Sequence, residues 1–141
     1  MKTSQFTVSV FSFSYKNGGP LFTGADGGGF VFDCRCLPNP GREPGYMELT
    51  GLDREVVEYF AARPEVGAFF DHVTAIVDQA VKNYVARDFQ NLMVSFGCTG
   101  GQHRSVFMAE NLARHLGKAM LVAAPVRHLG LEKRLPPLVQ P

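Results

Sequence analysis

Leu92-Met-Val-Ser-Phe-Gly-Cys-Thr-Gly-Gly-Gln-His-Arg-Ser-Val106 decides how the rest of this chain is to be read. Leu92 to Phe96 is apolar but for Ser95 and stops at Gly97, the pattern of a central strand in a parallel sheet. Apolar residues resume at Val106, Ala109, Leu112, Ala113 and Leu116, which share one face of a helix. Gly97-Cys-Thr-Gly-Gly-Gln102 is therefore a strand-to-helix loop. Such a loop turns amide N–H groups toward one point, and the first helical turn adds unpaired donors and the positive end of its dipole. Gly100 and Gly101 admit positive φ and close approach of backbone to ligand, while His103 and Arg104 add a switchable and a permanent charge. Phosphate fits that donor set best; the alternative is a plain tight turn with His and Arg at the surface.

Outward from this loop, the chain reads as one α/β unit. Residues Phe6 to Tyr15 alternate Phe6, Val8, Val10, then Phe11 and Phe13 with Thr and Ser between, a first strand with one well-buried face. Lys16 to Gly29 holds six glycines and one proline, which forbids regular structure and predicts a mobile loop. Phe30-Val-Phe32 is a short buried strand that delivers Asp33-Cys-Arg-Cys36 to a strand's carboxyl end, the edge where open α/β sheets bind ligands. Leu37 to Gly45 carries three prolines and reads as a stiff connection. A short helix through Val56, Val57, Phe60 and Ala61 has Asp53 or Thr50 as candidate cap. The longest helix begins at Pro64, with Val66, Phe69, Phe70, Val73, Ile76, Val77, Ala80, Val81 and Tyr84 as its expected core stripe. Met120-Leu-Val-Ala-Ala124 reads as one more buried strand, left by Val126-Arg-His-Leu-Gly130, and residues 135–141 as a frayed tail. The expected architecture is a single-domain α/β sandwich over residues 1–141, its small, mostly parallel sheet flanked by helices.

Composition narrows the setting. The 141 residues suffice for one core without staples, and a net charge of +1 gives no global argument for nucleic acid. Lys16, Arg35, Arg42, Arg104, Arg127, Lys133 and Arg134 nevertheless fall near the loops named above, so the choice lies between a local basic face and scattered solvated charge. Three cysteines make an odd count, and Cys34-Arg-Cys36 is too tightly spaced for a usual zinc knuckle; no metal site is expected. A reduced cytosol fits best. With no charged-then-apolar leader and no apolar run near the ~18 residues of a span, the protein is expected to be soluble and cytoplasmic.

Four segments carry a family likeness. Ser12-Phe-Ser-Tyr-Lys-Asn-Gly18 resembles Ser-Phe-Gly-Phe-Lys-x-Gly, and Val31-Phe-Asp-Cys-Arg-Cys-Leu-Pro-Asn-Pro40 resembles Val-Phe-Asp-Val-Arg-Phe-Leu-Pro-Asn-Pro, both of the C-terminal domain of RapZ, the bacterial RNase adapter family. Leu49-Thr-Gly-Leu-Asp53 and Gly97 to Val106 match that domain almost letter for letter, and Arg127-His128 with Leu131-Glu-Lys133 resembles its close. The likeness covers about residues 6–134. It implies a domain that binds glucosamine-6-phosphate and small RNA in a pocket lined by these loops and that helps form oligomers. Carried over by position, the implied ligand residues are Asp33, Arg35, Thr99, Gly100, Gly101, His103, Arg104 and Ser105; the implied RNA contacts are Lys16, Arg35, Gln102, His103, Arg104, Arg127 and His128. Asn17, Gly41 and Leu129 depart from the family's aromatic or His, His, and Arg, each change removing a potential RNA contact. No Gly-x-x-x-x-Gly-Lys-Ser/Thr occurs, so neither triphosphate hydrolysis nor a cofactor is expected.

Two other classes compete with a phosphorylated-ligand sensor. Cys98 to Arg104 satisfies Cys-x5-Arg followed by Ser, the loop spacing of cysteine-dependent phosphatases, in which Asp33 would have to serve as general acid by tertiary proximity. Against this, Cys98 is small filling where strand meets loop. The third class is a protein-interaction or oligomerisation module that uses an anion only to order its loops. Bland alternatives stand beside the site residues as well: Asp33 and Arg35 could close a strand end as a salt bridge, and His103 could be a satisfied structural histidine.

Overall fold

The computed structural model describes residues 5–21 and 28–134. Four strands, β1 (Thr7–Ser14), β2 (Gly29–Asp33), β3 (Asn91–Cys98) and β4 (Val126–His128), form one sheet in the order β2-β3-β1-β4. Every pairing is parallel, with Val10 opposite Val94 and Val126, and Asp33 opposite Gly97. The expected α/β sandwich is therefore present, its sheet wholly parallel. The expected loop from Lys16 to Gly29 falls partly, and the tail 135–141 wholly, outside the described residues.

Helices α1 (Arg54–Ala61), α2 (Pro64–Ala86) and α3 (Arg104–His115) share one core with Val8, Val10, Leu92, Val94 and Phe96, so all three lie on one face of the sheet. The β2-to-β3 and β3-to-β4 connections step across the sheet in the same direction over that same face and so share one hand, as parallel crossovers must. Phe11, Phe13 and Met93 are buried on the opposite face, and α4 (Leu129–Arg134) returns against β1. β2 is an edge strand, with Phe30 and Phe32 turned to the core and Val31 exposed, so it is half-buried rather than buried throughout.

Three expectations need correction. Met120–Ala124 is not a strand. Beyond α3 the chain makes a π-helical turn over Leu116–Met120, and Leu121 then takes a left-handed conformation (φ 56°) with 85% of its surface exposed. Of this stretch Ala123 pairs with β1, through an isolated bridge to Thr7; the strand that pairs is Val126–His128. Ile76 is not core, being 47% exposed. The buried stripe of α2 is Val66, Val73, Val77 and Val81, and one residue back along a helix of 3.6 per turn swings Ile76 about 100° away from Val77. Asp53 does stand at the N-cap of α1, but its carboxylate reaches backward, accepting from the Thr50 N–H at 2.7 Å rather than from the helix amides.

Candidate functional site

β1, β2 and β3 all end at one edge of the sheet, and the loop after β3 is pinned there from three sides. Ser14 Oγ donates to the Thr99 carbonyl at 2.6 Å while accepting from the N–H groups of Lys16 and Asn17, each at 3.1 Å. Gly101 has φ +68°, and a Cβ there would lie 3.0 Å from the Ser14 backbone nitrogen, so glycine is required both for the turn and for the close approach. Gly130 packs on its other side, since a Cβ at 130 would stand 2.7 Å from the Gly101 carbonyl oxygen.

The third support is the proline-rich segment, which folds into two 3-10 turns, Pro40–Arg42 and Pro44–Tyr46, the first begun by Asn39 accepting from the Gly41 N–H. Gln102 donates from its side-chain amide to the carbonyls of Met47 and Leu49, at 2.9 and 2.6 Å. His103 donates through Nε2 to the Tyr46 carbonyl at 2.9 Å, and its ring lies against Gly41, where a Cβ would come within 3.0 Å of Cε1. These bonds hold an arch over the glycine loop. Between them opens a cleft of about 310 Å³ lined by Asn39, Gly41, Arg42 and Met47 from the arch and by Cys98, Thr99, Gly100, Gln102, His103 and Arg104 from the loop.

Arg104 is the charge in this cleft that the fold has buried. One of its terminal nitrogens donates to the carbonyls of Arg35 and Leu37, at 2.9 and 3.2 Å, while its Nε is buried without a partner. An orphaned guanidinium N–H is costly unless something accepts from it. Among the described residues the amides of Thr99, Gly100 and Gly101 likewise donate to no protein acceptor. The floor is Cys98, whose Sγ lies 3.1 Å from Ser105 Oγ and accepts from the Ser105 N–H at 3.5 Å. The cleft thus combines a buried cation, unoccupied amides and the N-terminus of a twelve-residue helix, a donor set for an anion.

The structure gathers Thr99, Gly100, Gln102, His103 and Arg104 around the cleft but places the other named residues elsewhere. Gly101 and Ser105 are buried behind it, as packing and as the partner of Cys98. Asp33 and Arg35 form a bidentate exposed pair, Nε to Oδ1 at 2.9 Å and a terminal nitrogen to Oδ2 at 2.7 Å, with the guanidinium 4.0 Å over the Tyr15 ring. The Arg35 bonds hold the Asp33 carboxyl below its ordinary range, against the opposing effect of burial. Lys16 sits on the turn after β1. Arg127 is taken up by Glu132 at 2.8 Å and His128 by Ser12 and Glu110, each at 2.7 Å. Sequence reasoning missed Asn39, Arg42 and Met47 as cleft residues; the signal available was the Asn-Pro-Gly turn, which reverses the chain over whatever follows β2.

Among the described residues no helix is long and apolar enough to cross a membrane, and no group of His, Cys, Asp or Glu is placed to hold a metal. Fold and cleft together define an α/β protein with a glycine-loop cleft at the carboxyl edge of a parallel sheet. The model of the RapZ C-terminal domain matches residues 6–132, and the chain belongs to that family. A nucleotide-binding protein of Nitrosomonas eutropha is 44% identical over 128 residues, covering 91% of this chain and 42% of the relative. One of Nitrosomonas europaea is 41% identical over 94% of the chain and 44% of its own length. Another, of Acidobacterium capsulatum, is 46% identical over 79% of the chain and 34% of its own length. The chain thus spans less than half the length of these relatives.

Proposed function

We propose that this chain is a non-catalytic regulatory domain that senses a phosphorylated small molecule, most specifically an amino-sugar phosphate such as glucosamine-6-phosphate. The observation that carries the reading is the buried, unpartnered Nε of Arg104, a residue that lines the cleft with Thr99 and Gly100, whose amides like that of Gly101 have no protein acceptor. A phosphoryl group accepts from both, each charge-assisted bond contributing on the order of 1.5–3 kcal/mol. Asp33, at the neighbouring strand end, exchanges part of its pairing with Arg35 for the ammonium and hydroxyls of the sugar. Small RNA enters the proposal through the exposed Tyr15–Arg35 stack and Lys16, which suit a base and its phosphate, whereas Arg127 and His128 already have acidic partners.

The test is calorimetry with glucosamine-6-phosphate and glucose-6-phosphate. Arg104→Ala weakens both ligands by ten-fold or more, and Asp33→Asn removes only the preference for the amine. Equal binding of the two sugars to the parent, or an unchanged Arg104→Ala variant, overturns the reading. Cys98, with Ser105 Oγ 3.1 Å from its sulfur and the Ser105 N–H donating to it, is the residue a phosphatase would use, yet among the described residues none of those lining the cleft is a carboxylate that could protonate a leaving group. Turnover of an aryl phosphate that vanishes in Cys98→Ser would replace the sensor with an enzyme.

A further inference from the structure

Cys34, the residue after β2, and Cys98, the last of β3, come side by side. Asp33 pairs with Gly97, and the Cys34 N–H extends that ladder by one bond, donating to the Gly97 carbonyl at 2.7 Å. Cys34 is therefore opposite Cys98, and both side chains enter the same core cluster, 0% and 2% exposed. Neighbouring strands run about 4.8 Å apart, and a disulfide requires a Cα separation of about 4.4–6.8 Å. The strand spacing thus puts the two cysteine backbones within the span a disulfide can bridge. Cys98 also contributes to the lining of the cleft, the side from which a small solute approaches it.

We propose that Cys98 and Cys34 form a peroxide-driven disulfide that shuts the phosphate cleft, making the domain responsive to oxidants as well as to ligand. Cys98 Sγ attacks one oxygen of a hydroperoxide; the S–O bond forms, the O–O bond breaks, and the leaving oxygen departs as alcohol or water. Cys34 Sγ then attacks the Cys98 sulfenic acid, forming S–S and expelling the hydroxyl as water. Two thiols and one hydroperoxide thus give one disulfide, one alcohol or water, and one further water. Such bonds are transient signals in a reducing compartment. Burial pushes the Cys34 thiol up, with Cys98 the next contributor, so Cys34 is not the sulfur that meets oxidant first. Bonding to Cys34 draws Cys98 Sγ off Ser105 and ties the exit of β2 to the glycine loop whose amides face the cleft.

The effect on ligand rests on the proposed binding site; the disulfide itself does not, and two readouts separate them. Reduced protein is exposed to hydrogen peroxide, free thiols are alkylated, and peptides are mapped by mass spectrometry. The expected product is an intramolecular Cys34–Cys98 link with the loss of two hydrogens, retained in Cys36→Ser and abolished in Cys34→Val. A Cys34–Cys36 link, a Cys36-linked dimer, or three thiols still alkylated overturns the disulfide. In parallel, the glucosamine-6-phosphate thermal shift is recorded before and after oxidation. It is expected to fall at least ten-fold in apparent affinity in the parent and to persist in Cys34→Val. An undiminished shift in the linked parent overturns the gating, while no shift in reduced protein overturns the ligand site and leaves the disulfide to the mass map.

Discussion

Arg35 meets three neighbours: its guanidinium donates to Asp33 and lies over the Tyr15 ring, and its backbone carbonyl accepts from Arg104. Because Asp33 is drawn below its ordinary range chiefly by these side-chain bonds, the pair contributes fully above the unfolded value of about 4 and is lost as pH falls through the lower folded value. Carbon-detected NMR titration should place the Asp33 carboxyl below the ordinary aspartate value, and Arg35→Ala should move it back up; an unmoved midpoint would remove Arg35 as the cause. Much at this scale was legible in the sequence, since Asp33 and Arg35 at a strand end and the donors of the glycine loop were read from residue type and spacing. The Gln102 and His103 contacts with the arch were not legible. They join residues more than fifty apart through backbone carbonyls, which every residue carries and no side-chain pattern marks.

Among the elements, the long helix α2 and the central strand β3 were readable because each holds one hydrophobic period over a length that admits no other structure. The end of α3 was not. Met120 to Ala124 is apolar enough for a strand, but a π turn over Leu116–Met120 takes its first residue and a left-handed leucine breaks the rest, while Arg127 and His128 disguise the strand that does pair. Phase within α2 can be tested directly. Val77→Asp buries an unpaired charge and is expected to cost several kcal/mol, enough to abolish the folded state of a domain with ~5–15 kcal/mol in hand. Ile76→Asp, one residue away but half exposed, is expected to stay within about 0.5 kcal/mol of the parent in urea denaturation. Reversal of the two would rotate the helix by about 100°.

For the whole molecule, the sheet order places the first strand made at the centre of the final structure. β1 hydrogen-bonds β3, with Thr7 opposite Asn91, and β4, with Ser12 opposite His128, so nothing near it in sequence completes its pairing. Loop-closure entropy must be met before those distant contacts return anything, which makes the topology slow to form. On a ribosome, therefore, β1 emerges with no neighbour to receive it and stays unpaired until residue 98 has cleared the exit tunnel. A nascent chain arrested at residue 90 is expected to show no hydrogen-exchange protection at Val8 and Val10, whereas one released after residue 134 protects both. Protection in the shorter chain would mean that β1 finds another partner first. During the intervening seconds of translation, Val8-Ser-Val-Phe-Ser-Phe13 is an apolar strand with both edges open, the kind of segment a chaperone holds.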